Sequence, residues 1–210
     1  MEAEGGAVAR ETEIAIYAKI GDPHGLEECT RKEHQIQLEG KYSNGVLARV
    51  RKTTANGQSS CVFTFKTKEG SQAGVDVRSE YNAPVSDEFF EGYKKVAEHA
   101  VVKTRYVFES TKVSLTLVKD QVRREIIIPS ILYEVDVFEK ADGSTCEYCK
   151  IDVELDRILN YIDSKHPEVK GFKLVVKISH LPFKPFAAIL PGDEHRELLD
   201  HIWQSIRQPL

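Results

Sequence analysis

The sequence predicts a mainly β protein with flanking helices, its strands forming one antiparallel sheet closed into a tunnel. Two observations carry that expectation. Short runs alternate apolar and polar residues with period two, the mark of strands with one buried face. The runs also follow one another without the helices that parallel crossovers require. The chain's 210 residues, 41% of them hydrophobic, are enough for the core of one domain spanning 1–210.

Candidate strands cover 11–19, 35–42, 46–52, 61–67, 75–81, 101–109, 112–118, 122–128, 131–138 and 148–155. Asn44-Gly45, Asn56-Gly57 and Asp142-Gly143 read as hairpin turns. A first helix opens at Ser86, a suitable N-cap, and carries Phe89, Phe90, Tyr93, Val96 and Ala97 at helical spacing. A second runs over 155–164 and a third over 193–206, with Leu198, Leu199, Ile202 and Trp203 along one stripe. The proline-rich stretch 178–191 reads as an irregular segment, part of a C-terminal extension (171–210) packed on the barrel.

Composition excludes some functions. A net charge of −4 and a pI near 6.0 provide no global basic field for nucleic acid or an anionic membrane, so any anion site is local. The N-terminus lacks the basic-then-apolar layout of a signal peptide, and no apolar run nears the roughly 20 residues that span a bilayer. A cytoplasmic protein without membrane partners is expected. Cys146 and Cys149 have the spacing of half a zinc site but no second pair, which favours reduced thiols in a strand or hairpin. The histidines are scattered without ligand spacing, and none is assigned to a site.

The polar sides of the strands are more informative. They carry Glu11 and Glu13, then Arg49 and Arg51, then Lys66, then Arg78 and Glu80, then Lys103 and Arg105, then Glu134 and Asp136, and finally Asp152 and Glu154. At 30% charged residues, roughly 19 pairs of charges two apart arise by chance, so one such pair means nothing. Their segregation by sign does. Acidic pairs lie toward both ends of the chain and basic ones in the middle, so closing the sheet joins the acidic strands and leaves the basic strands as the facing wall. Arginine forks grip phosphate oxygens. Clustered carboxylates call for a hard cation, magnesium or manganese.

These residues resemble the CYTH superfamily, the triphosphate tunnel metalloenzymes. The first strand, Glu11-Thr12-Glu13-Ile14-Ala15, is similar to the family's E-x-E-x-K with alanine at the lysine position. R-x-R appears as Arg49-Val50-Arg51, T-x-K as Thr64-Phe65-Lys66, R-x-E as Arg78-Ser79-Glu80 and K-x-R-Y as Lys103-Thr104-Arg105-Tyr106. E-x-D-x-F appears as Glu134-Val135-Asp136-Val137-Phe138, and the terminal E-x-E-L as Asp152-Val153-Glu154-Leu155, with aspartate for the first glutamate. The likeness covers roughly residues 11–165, with the motifs in the family's order.

The resemblance implies an eight-stranded tunnel in which Arg49, Arg51, Lys66, Arg78, Lys103 and Arg105 bind the substrate's triphosphate. It implies that Glu11, Glu13, Asp136, Asp152 and Glu154 hold Mg2+ or Mn2+, with Glu80 or Glu134 orienting the attacking water. The expected activity is hydrolysis of the terminal phosphate of tripolyphosphate, thiamine triphosphate or a nucleoside triphosphate. An adenylyl cyclase, an RNA 5′-triphosphatase (the RNA end being disfavoured by the acidic net charge) and a non-catalytic triphosphate-binding module are the alternatives. Lys19 is too far along the first strand to replace the missing lysine directly, and Arg123 fits the tunnel and the surface equally. Oligomeric state is left open.

Overall fold

The computed structural model describes residues 7–40, 46–72, 75–175, 186–190 and 196–210, with side chains for 15–40, 48–67, 79–174 and 197–210. Its strands are β1 (Ala7–Ile20), β2 (Arg31–Glu39), β3 (Val46–Ala55), β4 (Gln58–Gln72), β5 (Val75–Val85), β6 (His99–Lys119), β7 (Val122–Glu139), β8 (Thr145–Glu154), β9 (Lys173–Val175), β10 (Phe186–Leu190) and β11 (Arg207–Gln208). Three α-helices join them: α1 (Asp87–Tyr93), α2 (Asp156–Lys165) and α3 (Arg196–Ile206). Short 3-10 turns occupy Pro23–Glu28 and Pro167–Val169. Among the described residues no helix is long and apolar enough to cross a membrane.

The protein is mainly β, and every strand pairing is antiparallel. The pairing order runs β10-β1-β5-β4-β3-β2-β6-β7-β8. β1 has two principal partners at different heights: Ala7–Thr12 pair with β5, and Glu13–Lys19 pair with β8. The remaining strands are attachments, β9 and β11 on β6 and β10 on the end of β1.

Local chemistry explains these elements. Asn56 and Gly57 both take positive φ, 51° and 77°, the backbone of a two-residue turn whose twist matches the strands it joins, β3 and β4. Ser86 caps α1 by accepting a hydrogen bond from the Phe89 amide at 3.2 Å, as the sequence predicts. The expected turn at Asn44-Gly45 lies outside the described residues.

Two expectations are corrected. The segments 101–109 and 112–118 form one strand, as do 122–128 and 131–138. Pro129, which lacks an amide donor, falls between the paired positions Thr111–Ser130 and Val113–Ile128, opposite Lys112 at φ 53°. The hairpin thus absorbs the proline without ending the strands. Within 178–191, Phe186–Leu190 are a strand on the edge of β1, not an irregular segment; prolines at 185 and 191 bracket the apolar run and limit its length.

The apolar residues form three clusters. The largest joins one face of β6, β7, β8 and β1 to Leu155, Ile158 and Ile162 at and within α2. A second sets Leu38, Val50 and Ala100 against Phe90 of α1. The third gathers Val101, Phe138 and Cys146 under Ile202 and Ile206 of α3. Cys146 and Cys149 are free thiols on opposite faces of β8, in different clusters, so they do not form a joint metal or redox pair. Ile151 is fully buried between β1 and β7. Ile151→Ala is expected to lower unfolding free energy by about 2–5 kcal/mol in urea denaturation, the range for a truncated core isoleucine.

Candidate functional site

Strand alternation turns a second set of side chains away from the largest apolar cluster and into a cavity of about 500 Å³. That volume suits a small-molecule ligand. β3 contributes Arg49 and Arg51; β4, Lys66; β5, Glu80; β6, Lys103 and Arg105; β7, Glu134 and Asp136; and β8, Lys150, Asp152 and Glu154. Of the residues predicted from sequence, Arg49, Arg51, Lys66, Lys103, Arg105, Glu80, Glu134, Asp136, Asp152 and Glu154 therefore share one cavity. Glu11, Glu13 and Arg78 have described backbones only. Glu11 is the register partner of Arg78 and Glu13 that of Glu154, while their side chains lie outside the described residues.

Asp136, 1% exposed, is the centre of the ion pairs. Arg105 donates to it from Nε at 2.7 Å and from Nη2 at 2.8 Å, and Lys103 donates from Nζ to Oδ2. Burial alone would raise the Asp136 pKa; the two cations outweigh it and hold the carboxyl well below its usual range. Arg105 also pairs with Glu134 through Nη1 and comes within 3.9 Å of Asp152. Burial opposes its charge, but Asp136 and Glu134 raise its pKa nonetheless. Burial raises the pKa of Glu134 against the opposing charge of Arg105, and the charges of Asp136, Glu154 and Asp152 add to the rise. That environment suits a carboxylate that takes up a proton.

The basic wall is arranged differently. Arg51 is lowered from its ordinary value by burial and by the charges of Arg49 and Arg105, yet a guanidinium remains charged at any working pH. Arg49 and Arg51 each keep a buried Nε with no hydrogen-bond partner among the described residues. Lys66 pairs with Glu80 at 2.7 Å, and Asn82 donates to Glu80 at 2.7 Å.

Several cavity residues were not among the sequence-predicted set. Gln37 and Glu39 of β2 line it, with Gln37 donating to Glu39 at 2.5 Å and His99 lying 2.7 Å from the same carboxylate. The polar alternation Glu33, Gln35, Gln37, Glu39 was the available signal. Lys150 shares strand parity with Asp152 and Glu154. Tyr17, Val101, Phe138, Trp203 and Arg207 complete one end, where Trp203 meets Tyr17 edge-on at 6.4 Å and Phe138 at 5.7 Å. Lys19 pairs with Glu147 instead and does not line the cavity; Arg123 is exposed.

The described residues contain no ready cluster of three or more metal-ligating side chains. The donor chemistry nevertheless fits a hard cation. Glu134 and Asp152 are cross-strand partners, and Glu154 lies two residues beyond Asp152, opposite Glu13. Arg105 and Lys150 neutralise part of this opposed charge, and the oxygen donors themselves are those a hard divalent cation prefers.

No family model matches the sequence, and a search of curated proteins returned no match. Among solved structures, the chain is similar to the PH1819 protein from Pyrococcus horikoshii OT3 at 14% identity and a TM-score of 0.45, covering 90% of this chain and 99% of that one. A conserved hypothetical protein from Pyrococcus furiosus aligns at 16% identity and a TM-score of 0.44, covering 91% and 86%. The Hippeastrum protein HpAC1, named as a candidate adenylyl cyclase with a dominant triphosphatase activity, aligns at 13% identity and a TM-score of 0.41, covering 80% and 93%.

Lys103 gives the cavity a pH response. Burial, reinforced by Arg105 and Arg49, lowers its pKa to about 8 against the pull of Asp136. The ammonium attracts an anion only while protonated, so any affinity of the cavity for a polyanion, with tripolyphosphate as the probe, is expected to be highest below about pH 8. Above that value it should fall by up to about tenfold per pH unit. Calorimetric titrations of the wild type and of Lys103→Met across pH 7–10 check this, and the variant should lose the steepest part of the decline.

Proposed function

We propose that this chain is a CYTH-like triphosphate tunnel protein that binds a metal-bridged triphosphate and hydrolyses its terminal phosphate. The observation that carries the reading is the cavity itself. Basic residues of β3, β4 and β6 share it with the acidic residues of β5, β7 and β8, and the Arg49 and Arg51 Nε donors have no partner among the described residues. The pairing of β1 with both β5 and β8 supports a sheet that wraps around this cavity as a tunnel.

On this reading Arg49, Arg51 and Arg105 donate to phosphate oxygens, with Lys66 and Lys103 as point charges beside them. Asp152 and Glu154, with Glu13 opposite Glu154 in register, would hold Mg2+ or Mn2+. The bound ion would neutralise phosphate charge and polarise the phosphorus under attack. Glu134 orients the attacking water and accepts its proton: burial raises its pKa even against Arg105, whereas Glu80 is held by both Lys66 and Asn82. No Ser or Cys nucleophile is required, because phosphoryl transfer asks chiefly for alignment and charge stabilisation.

Ala15 supports a second reading, a module that binds triphosphate without cleaving it, since one cation of the family pattern is absent from the first strand. A substrate panel separates the two. Phosphate release is measured from tripolyphosphate, thiamine triphosphate and nucleoside triphosphates, with Mg2+ and with Mn2+. Release from at least one substrate is expected; binding with no release from any would leave only the module. Arg49→Ala and Arg105→Ala are each expected to lower kcat/KM by about 10- to 100-fold, the loss of a charge-assisted hydrogen bond. Unchanged activity in both folded variants would mean that these buried charges serve the fold and not phosphate binding.

A further inference from the structure

Lys150 has no part in the machinery described above, yet it lines the cavity. It is the register partner of Asp136 on β7 and of Tyr17 on β1. Its ammonium leans along its own strand to Asp152, 2.6 Å from Oδ1 and 2.7 Å from Oδ2. Asp152 is in turn the register partner of Ala15. Position 15 thus sets only a methyl beside Asp152, and the cation that reaches this carboxylate comes instead from Lys150 on the carboxylate's own strand. The lysine is also the most accessible of the three in the cavity, its side chain 19% exposed against 7% for Lys66 and 8% for Lys103.

From this geometry, and resting on the polyphosphate reading above, we propose that Lys150 is a further phosphate ligand, parked on Asp152 until the anion arrives. The flexible four-carbon stem permits the exchange. Asp152 keeps a cation nearby when Lys150 leaves, because Arg105 Nη2 lies 3.9 Å away. The move also releases Asp152 oxygens for a divalent cation. Lys150 and the metal therefore compete for one carboxylate, and an anion that draws Lys150 away favours metal binding at the same site. By linkage the coupling is reciprocal.

The test measures binding, not turnover. Metal-free tripolyphosphate is titrated calorimetrically into the wild type, Lys150→Met, Lys150→Gln and Lys150→Arg, and Mn2+ binding is followed by electron paramagnetic resonance without any anion. Near-UV circular dichroism identifies the folded neutral variants. These should lose about tenfold or more in tripolyphosphate affinity, while Lys150→Arg retains most of it. Without anion they should bind Mn2+ several-fold more tightly than the wild type, because the competitor for Asp152 is gone. Adding Ala15→Lys to Lys150→Met should recover part of the tripolyphosphate affinity. A folded neutral variant that binds tripolyphosphate within twofold of a wild type that itself binds well overturns the role of Lys150 and leaves the cavity reading intact. A wild type that does not bind tripolyphosphate overturns both.

Discussion

Asp136 is almost fully buried on a strand face with a lysine on one oxygen and a guanidinium across both, and much of the cavity depends on that arrangement. Burying an ion costs several kcal/mol even after relaxation, so three charges persist here only because each satisfies the others. Arg105 cannot leave without exposing Asp136, Glu134 and Asp152 to one another. The result is a preorganised frame on β6 and β7 around which more loosely held charges are distributed. Preorganisation of this kind lets a site act on developing charge without rearranging.

The same constraint explains the packing. In most small domains a sheet buries its apolar face against the core and leaves polar residues to solvent. Here the polar faces converge on a shared cavity, and the opposite faces need cover. α2 and its neighbours cover Val135, Val137, Ile151 and Val153, while α1 covers Leu38, Val50 and Ala100. α3 does something else. Val101, Phe138 and Cys146 share strand parity with Lys103, Asp136 and Lys150, so the helix seals an apolar stretch of the cavity-facing side and brings Trp203 and Arg207 to the rim.

Strand periodicity made most of this legible. Arg49 and Arg51, Lys103 and Arg105, and Glu134 and Asp136 could be placed on one face because the period of a strand is two and each pair sits opposite an apolar run. The continuity of β6 and β7 was not legible, since a proline reads locally as a break and only the partner strand shows where its missing donor is tolerated. Gln37 and Glu39 were not legible as part of the site because an uncharged amide beside a single carboxylate lacks the paired charges that mark the other strands. Lys150 escaped notice for a related reason. Its meaning depends on Ala15, 135 positions earlier in the chain and brought beside it only by the β1–β8 register.

Charge balance narrows the ligand further. The described lining contains seven basic side chains (Arg49, Arg51, Lys66, Lys103, Arg105, Lys150 and Arg207) and six acidic ones (Glu39, Glu80, Glu134, Asp136, Asp152 and Glu154). A bare polyphosphate would meet the acidic strands at a cost, and a bare divalent cation would meet the basic ones. A complex of the two presents the matching sign to each wall. On the proposed reading its cation would face β7 and β8 and its phosphate chain β3 and β6, and neither would have to displace the buried Asp136–Arg105 pair. Because Lys150 lies on β8 within the acidic wall, its move from Asp152 to phosphate would carry positive charge to the anion and open a carboxylate oxygen to the metal. On the proposed reading, that division of charge is what allows one cavity to accommodate both components together.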